Sequence, residues 1–234
     1  MLIFDIITIF TEVFPGYFNE SIIGRAQKNN LIKINIHNLR DWAEDKHQKV
    51  DDSPYGGGPG MVMKIGPIAK AISSIFKLKV SSFTKATADK ESEKLKVIMF
   101  SAGGKQFDNK VAAKLAKKYD RLILICGRYE GVDARIKKVV KDMGIEYSEM
   151  SIGPYVLTGG ELPAMILVDA VARQIPGTLG KEESIEEKRL GIGVPVYTRP
   201  EVFHFKDKKY QVPKILLSGD HRKIEECRRK EKED

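Results

Sequence analysis

The amino-acid order reads as an α/β protein built on a mostly parallel sheet. Strand-like apolar runs alternate with helix-like stretches along most of the chain, the order that βαβ units require. One run, Leu122-Ile123-Leu124-Ile125-Cys126, is apolar at every position, so both of its faces must be buried. Glycines follow the strand-like runs directly, at Gly103, Gly104 and Gly127, where open α/β sheets carry their ligand-binding loops.

Residues 2–9 form a buried strand through Leu2, Ile3, Phe4, Ile6, Ile7 and Ile9. Pro15 opens a helix expected to reach Lys28. Residues 31–39 alternate, with Leu31, Ile32, Ile34 and Ile36 against Lys33, Asn35 and His37, as a half-exposed strand should. Then comes Pro54-Tyr55-Gly56-Gly57-Gly58-Pro59-Gly60-Met61, too rich in glycine and proline for a helix or a central strand. Pro67 heads a helix over 68–75, and residues 77–94 are polar and aperiodic, a flexible connection. A short strand over 95–100 ends at Ser101-Ala102-Gly103-Gly104. The helix over 109–118 places Val111, Ala112, Leu115 and Ala116 on one stripe. The helix over 163–173 is apolar nearly all round, so it is either deeply buried or packed on a second subunit. A charged linker over 180–194 separates a first domain, 1–179, from a second, 195–234. The second has an extended, turn-rich start and a short charged helix over 222–232.

Composition narrows the function. The 234 residues include 40 Lys and Arg against 32 Asp and Glu, a formal charge of +8 and a pI near 9.3. That excess favours a polyanionic partner, held through its phosphates. No apolar run is long enough to span a bilayer, and the start of the chain does not read as a signal peptide. Cys126 and Cys227 are far apart and have no metal-type spacing, so no metal site is expected from them and the expected compartment is the cytoplasm.

The glycine-rich segment lacks the Gly-x4-Gly-Lys-Ser/Thr pattern, and no Gly-x-Gly-x-x-Gly follows the first strand. The glycine loops near Gly104, Gly127 and Gly160 could together offer main-chain groups to the edge of a flat heterocycle; singly, each is a plain turn. Arg128 with Glu130, and Arg135 nearby, read as structural salt bridges, or Glu130 contacts a ligand. Arg173 either caps a helix or touches a phosphate or base. His47, between Lys46 and Lys49, is solvated or touches RNA. Asp51 and Asp52 orient a loop, cap a turn or bind Mg2+.

Five stretches are specific in combination. They are Tyr55-Gly56-Gly57-Gly58-Pro59-Gly60-Met61, Cys126-Gly127-Arg128-Tyr129-Glu130-Gly131-Val132-Asp133, Leu157-Thr158-Gly159-Gly160-Glu161-Leu162-Pro163-Ala164, Tyr197-Thr198-Arg199-Pro200 and Leu217-Ser218-Gly219-Asp220-His221. From about residue 3 to residue 228 the chain resembles the bacterial tRNA (guanine-N1)-methyltransferases of the knotted SPOUT class. The resemblance implies a SPOUT-type α/β domain with a deep C-terminal trefoil knot and a small, mainly helical C-terminal domain. It implies a homodimer whose sites use both subunits, tRNA as partner rather than DNA, S-adenosylmethionine as cofactor and Mg2+ as an ion the reaction could use. The cofactor would sit among Ser101, Gly127, Tyr129, Glu130, Ser151, Ile152, Gly153, Pro154, Tyr155, Val156, Leu157, Gly159, Gly160 and Pro163. His47, Asp51, Tyr55, Gly57, Gly58, Arg199 and Ser218 would meet the substrate, and Arg173 would steady the guanine. The implied reaction methylates N1 of the guanosine immediately 3′ of the anticodon.

The chain departs from that pattern in several places. The family's base is a linker aspartate. Here the linker reads Ser184-Ile185-Glu186-Glu187-Lys188-Arg189, which makes Glu187 the substitute and Glu186 the next choice. Pro154 stands in place of an aspartate, and Ala102-Gly103-Gly104 replaces a proline-containing loop. The chain ends soon after Arg228, where the family continues into helices that help hold tRNA, so weaker tRNA binding is expected. These departures keep two other readings open: a cofactor- and RNA-binding protein with weak or no catalysis, and an enzyme of this class acting on another RNA.

Overall fold

The computed structural model describes residues 1–83, 94–180 and 193–230, with side chains left aside for 77–83 and 229–230. The chain divides into two units, Met1–Thr178 and Leu179–Asp234.

Along the first unit the order is β1 (Leu2–Thr8), α1 (Pro15–Phe18), α2 (Ser21–Lys28), β2 (Ile32–Asn38), β3 (Asp51–Asp52), β4 (Val62–Met63), α3 (Ile65–Phe83), β5 (Leu95–Gln106), α4 (Asn109–Lys118), β6 (Arg121–Ile125), α5 (Ile136–Asp142), β7 (Glu146–Ser151) and α6 (Glu161–Ala172). Five strands make one sheet in the order β2-β1-β6-β5-β7, and every neighbouring pair is parallel. Because side chains alternate along a strand, the sheet builds two cores. Leu2, Phe4, Ile6, Leu122 and Leu124 face α2, α4 and α6. Ile7, Val97, Ile123 and Ile125 face α3 and α5. β6 lies between β1 and β5 and has no solvent edge, which is why its run is apolar throughout.

Several elements differ from the sequence reading. The single helix over 15–28 is two, broken after Phe18. Gly24 accounts for the join: a Cβ there would lie 2.4 Å from the carbonyl oxygen of Asn19, so only glycine lets α2 pack under the turn. α3 begins earlier than residue 68 and runs past 75 into the stretch read as a flexible connection; residues 84–93 of that stretch lie outside the described residues. β5 does not stop at Phe100. It bulges, so that both Phe100 and Lys105 pair with Met150, and it continues to Gln106. Gly104 makes this continuation feasible, since a Cβ there would sit 2.6 Å from the Met150 amide nitrogen.

The second unit contains β8 (Val202–Phe205) and β9 (Lys208–Gln211), an antiparallel hairpin, then a turn of 3-10 helix at Lys214–Leu217 and α7 (His221–Lys230). Asp220 caps α7, accepting from the Lys223 amide at 3.2 Å. The expectation of a mainly helical unit missed the hairpin.

Candidate functional site

β5, β6 and β7 end on the same side of the sheet because they are parallel neighbours. Their outgoing loops enclose a cavity of about 400 Å³, a size ordinary for a small-molecule site. The bulge of β5 contributes Ser101, and the loop after β6 contributes Gly127, Tyr129 and Glu130. The loop after β7 contributes Ser151, Ile152, Gly153, Tyr155, Val156 and Leu157, and the entry to α6 contributes Gly159, Gly160 and Pro163. Pro154, in the same loop, does not line the cavity.

Close backbone crossings hold these loops together. The Gly160 amide donates to the Gly127 carbonyl at 2.9 Å, and Arg128 bridges Gly159. The buried Ser151 hydroxyl donates to the Gly153 carbonyl at 2.8 Å and accepts from the Gly153 amide at 3.3 Å, which shapes the turn after β7. Tyr129 holds a left-handed backbone (φ 60°) at the mouth of the cavity, a conformation uncommon for a residue with a side chain.

The ion pairs differ from the sequence reading. Arg128 pairs with Glu161, not Glu130: its Nη2 lies 2.9 Å from Glu161 Oε2. Glu161 is buried in the first turn of α6, where the helix dipole favours an anion. The Thr8 hydroxyl donates to its other oxygen at 2.8 Å. Arg128 also donates to the Thr158 carbonyl at 3.2 Å and stacks 4.5 Å from the centre of the Phe10 ring. Arg135 pairs with Asp133, Nε to Oδ1 at 2.9 Å. The sequence reading missed Thr8, Phe10 and Glu161 as site-building residues. Their only local signal was position, at the end of a strand and the start of a helix. Burial and the Glu161 charge push the Cys126 thiol well up, so it is no nucleophile.

The cavity suits a flat heterocycle better than a polyphosphate. Its charged wall residues are Arg128, already engaged with Glu161, and Glu130. The main-chain amides of Tyr155, Val156 and Leu157 make no hydrogen bond among the described residues, so they are available to ring nitrogens and hydroxyls. This donor set fits S-adenosylmethionine. Among the described residues, no group of three or more His, Cys, Asp and Glu could hold a metal ion.

A second cavity, of about 1000 Å³, shares Glu130 and Val132 with the first. Lys49, Lys64, Lys70 and Arg135 line it alongside Glu44, Asp45, Asp52, Glu130, Asp133 and the almost fully exposed Tyr55, and three of the cations pair with Asp52, Glu44 and Asp133. β4 joins the two regions: the Met63 amide donates to the Gly131 carbonyl at 2.9 Å and the Glu130 amide to the Met61 carbonyl at 3.0 Å. Gly60 packs directly on the Glu130 carboxylate.

The remaining candidates are more scattered. Asp51 is held in the β3–β4 pair opposite Met63, and His47 is exposed on the preceding loop. Gly57 and Gly58, both at positive φ, form the tip of the glycine-rich segment. Arg173 caps the C-terminus of α6 and lines neither cavity. Ten residues separate it from Pro163 at the cavity wall, about 15 Å along a helix. Arg199 and Ser218 belong to the second unit, where the Ser218 hydroxyl donates to the Ile215 carbonyl at 2.7 Å. Glu186 and Glu187 lie outside the described residues.

An open parallel sheet with a main-chain cradle at its carboxyl ends and a polar cleft of mixed charge beside it defines a cofactor-binding α/β enzyme. Comparison with known proteins narrows the class. Residues 2–234 match the family described as tRNA (Guanine-1)-methyltransferase TrmD, and the chain belongs to that family. It is 48% identical over 234 residues to the tRNA (guanine-N(1)-)-methyltransferase of Dictyoglomus turgidum, covering 99% of this chain and 85% of that protein. The protein of the same name from Alkaliphilus oremlandii is 48% identical over 233 residues, covering 97% and 86%. That from Geobacter sp. strain M21 is 44% identical over 231 residues, covering 97% and 84%.

Proposed function

We propose that this protein methylates N1 of the guanosine immediately 3′ of the anticodon in tRNA, with S-adenosylmethionine as methyl donor. The observation that carries the reading is the main-chain-lined cavity at the β5 bulge and the ends of β6 and β7, opening beside a larger cleft where lysines and Arg135 stand among carboxylates. The cofactor supplies an electrophilic methyl group on a sulfonium. The amides of Tyr155, Val156 and Leu157 would hold its heterocycle. The SPOUT resemblance further assigns these three loops to a trefoil knot.

N1 of guanine carries a proton, so methylation needs a base. Glu187 would take that proton as the methyl group reaches N1, and Glu186 is the next candidate. The negative charge that develops on the guanine is steadied by Arg173. The base must leave its stack to reach the cavity, at a cost of about a few kcal/mol. Tyr55, Asp51, His47, Gly57 and Gly58 border its path, and Arg199 and Ser218 contact tRNA from residues 195–234, a small tRNA-binding domain reached through the 180–194 linker. The reaction runs in the cytoplasm, where its substrate is.

A homodimer completes the site. Arg173 stands about 15 Å along α6 from the cavity of its own chain, so a second copy is its route to a substrate. α6 and its neighbours present Leu162, Ile166, Val13 and Tyr17 to solvent, an apolar face suited to a second copy.

The test is incubation with labelled S-adenosylmethionine and unmodified tRNAs carrying G after the anticodon. Label at N1 of that base is expected, and no product from several such tRNAs overturns the reading. Glu187→Gln lowers kcat by about 10²-fold or more and leaves cofactor affinity, read by calorimetry, unchanged. Binding without turnover by the parent protein favours a non-catalytic role. Indifference to the base after the anticodon favours another RNA.

A further inference from the structure

The β8–β9 hairpin carries three aromatic rings that build no core. Phe203 pairs with Tyr210 across the strands and Phe205 with Lys208, so these four side chains share one face. The Phe203 and Phe205 rings lie 6.5 Å apart and nearly parallel, at 12°. The Tyr210 ring lies 6.5 Å from that of Phe203. All three are about half exposed, at 52%, 54% and 52%. Among the described residues the rings join neither hydrophobic core cluster, and leaving aromatic area in water forfeits stabilisation.

Cations frame the rings. The Lys206 ammonium lies 5.7 Å from the centre of the Phe205 ring, and Lys208 shares the aromatic face. Lys209, paired with His204, lies on the opposite face, and Arg199, Glu201 and Asp207 are neighbours in sequence. Flat π-faces beside ammonium groups match a chain that alternates bases and phosphates. Stacking needs unpaired bases, because paired bases already have their faces covered.

We propose that this hairpin is a stacking platform for unpaired bases of the RNA substrate, with Phe203, Phe205 and Tyr210 under the bases and Lys206 and Lys208 on the adjoining phosphates. The proposal rests on the tRNA methyltransferase reading and adds to it a contact with bases other than the methylated one. The net positive charge selects RNA over a protein partner for this face.

The test uses the full chain carrying Phe203→Ala with Tyr210→Ala. Three probes are titrated: an unmodified tRNA with G after the anticodon, a short single-stranded oligoribonucleotide, and an RNA duplex of equal length. Affinity for the tRNA and the single strand is expected to fall about ten- to a hundredfold, with duplex and S-adenosylmethionine binding unchanged. Phe203→Trp, made in a Trp42→Phe background so that its indole is the sole one, should keep the affinity of that background, and the single strand should quench its fluorescence. Unchanged tRNA and single-strand affinity in the alanine pair overturns the proposal. So does an indole signal that follows protein dilution instead of RNA, which would make the face a contact between copies. Should the alanine pair fail to fold, Phe203→Trp decides: lost affinity or an unquenched indole overturns the proposal. If the parent methylates tRNA and the alanine pair binds RNA like the parent, only the hairpin assignment fails. If the parent methylates no tRNA but still needs the rings for the single strand, the enzymatic reading fails and the platform stands.

Discussion

A Cβ at Gly160 would lie 2.6 Å from the Cys126 Cα and 2.9 Å from the Gly127 amide nitrogen, both main-chain atoms with nowhere to move. Gly160→Ala therefore has to push α6 off the loop after β6. Urea unfolding should show a loss of about 1–3 kcal/mol, and calorimetry a weaker grip on S-adenosylmethionine. Gly16 is the useful contrast. It sits in α1 with no atom near its Cβ position, so Gly16→Ala should stabilise by about 0.5–1 kcal/mol in the same assay. Sequence marks both positions alike, as glycine. The difference between them is made by segments far along the chain. Arg128 teaches the same point: its near neighbour Glu130 is the partner that spacing suggests, but Glu161 is the partner the fold supplies.

Between elements, two carboxylates fasten strands to their surroundings. Asp5, buried on β1, accepts from Asn35 at 2.9 Å, lies 2.7 Å from a His37 ring nitrogen and pairs with Arg121 at 2.7 Å, so it ties β2, β1 and β6 together. Burial alone would raise its pKa, but His37, Asn35 and Arg121 outweigh it and hold the carboxyl below the usual range. Glu146 at the start of β7 pairs with Lys118 of α4 and Lys96 of β5, both at 2.8 Å, and these lysines hold its pKa at about 2 against an ordinary 4.5. A lowered carboxylate pKa gives stability that is full above the unfolded value and fades as pH falls through the folded one. Urea midpoints should therefore hold at neutral pH and drop as pH falls from about 4.5 towards about 2. Glu146→Gln should flatten part of that drop. Its contribution is modest and salt-sensitive, because Glu146 is half exposed. Asp5→Ala, which removes the carboxylate that Asn35, His37 and Arg121 share, should cost about 3–5 kcal/mol at neutral pH. β7 itself was illegible in sequence: Glu-Tyr-Ser-Glu-Met-Ser is a polar edge strand without an apolar run. The β8–β9 hairpin was missed because its two-residue turn is Lys206-Asp207, not the glycine-bearing pair that usually signals one.

For the molecule as a whole, the dimer proposed above makes the apolar face around α6 a link between assembly and activity. Ile166→Glu puts a charge on a half-exposed position of that face. Sedimentation velocity should show monomers, and methylation should fall with the dimer fraction while S-adenosylmethionine affinity changes little. A dimeric Ile166→Glu protein with full activity would remove this face from the assembly. Some of the architecture was open to reading from residue order alone. The apolar runs of β1 and β6, the amphipathic stripe of α4 and the glycines after the strands are local patterns, and local patterns follow from periods of 2.0 and 3.6 residues. The family motifs were equally open, because they are contiguous. Residue order could not arrange the strands as β2-β1-β6-β5-β7, and that arrangement brings the loops near residues 101, 127 and 152 around one cavity. It also decides that Arg128 meets Glu161 and that Gly160 must remain glycine. Those outcomes are set by burial and by contacts between distant segments, which exist only once the sheet has closed and both of its cores are packed.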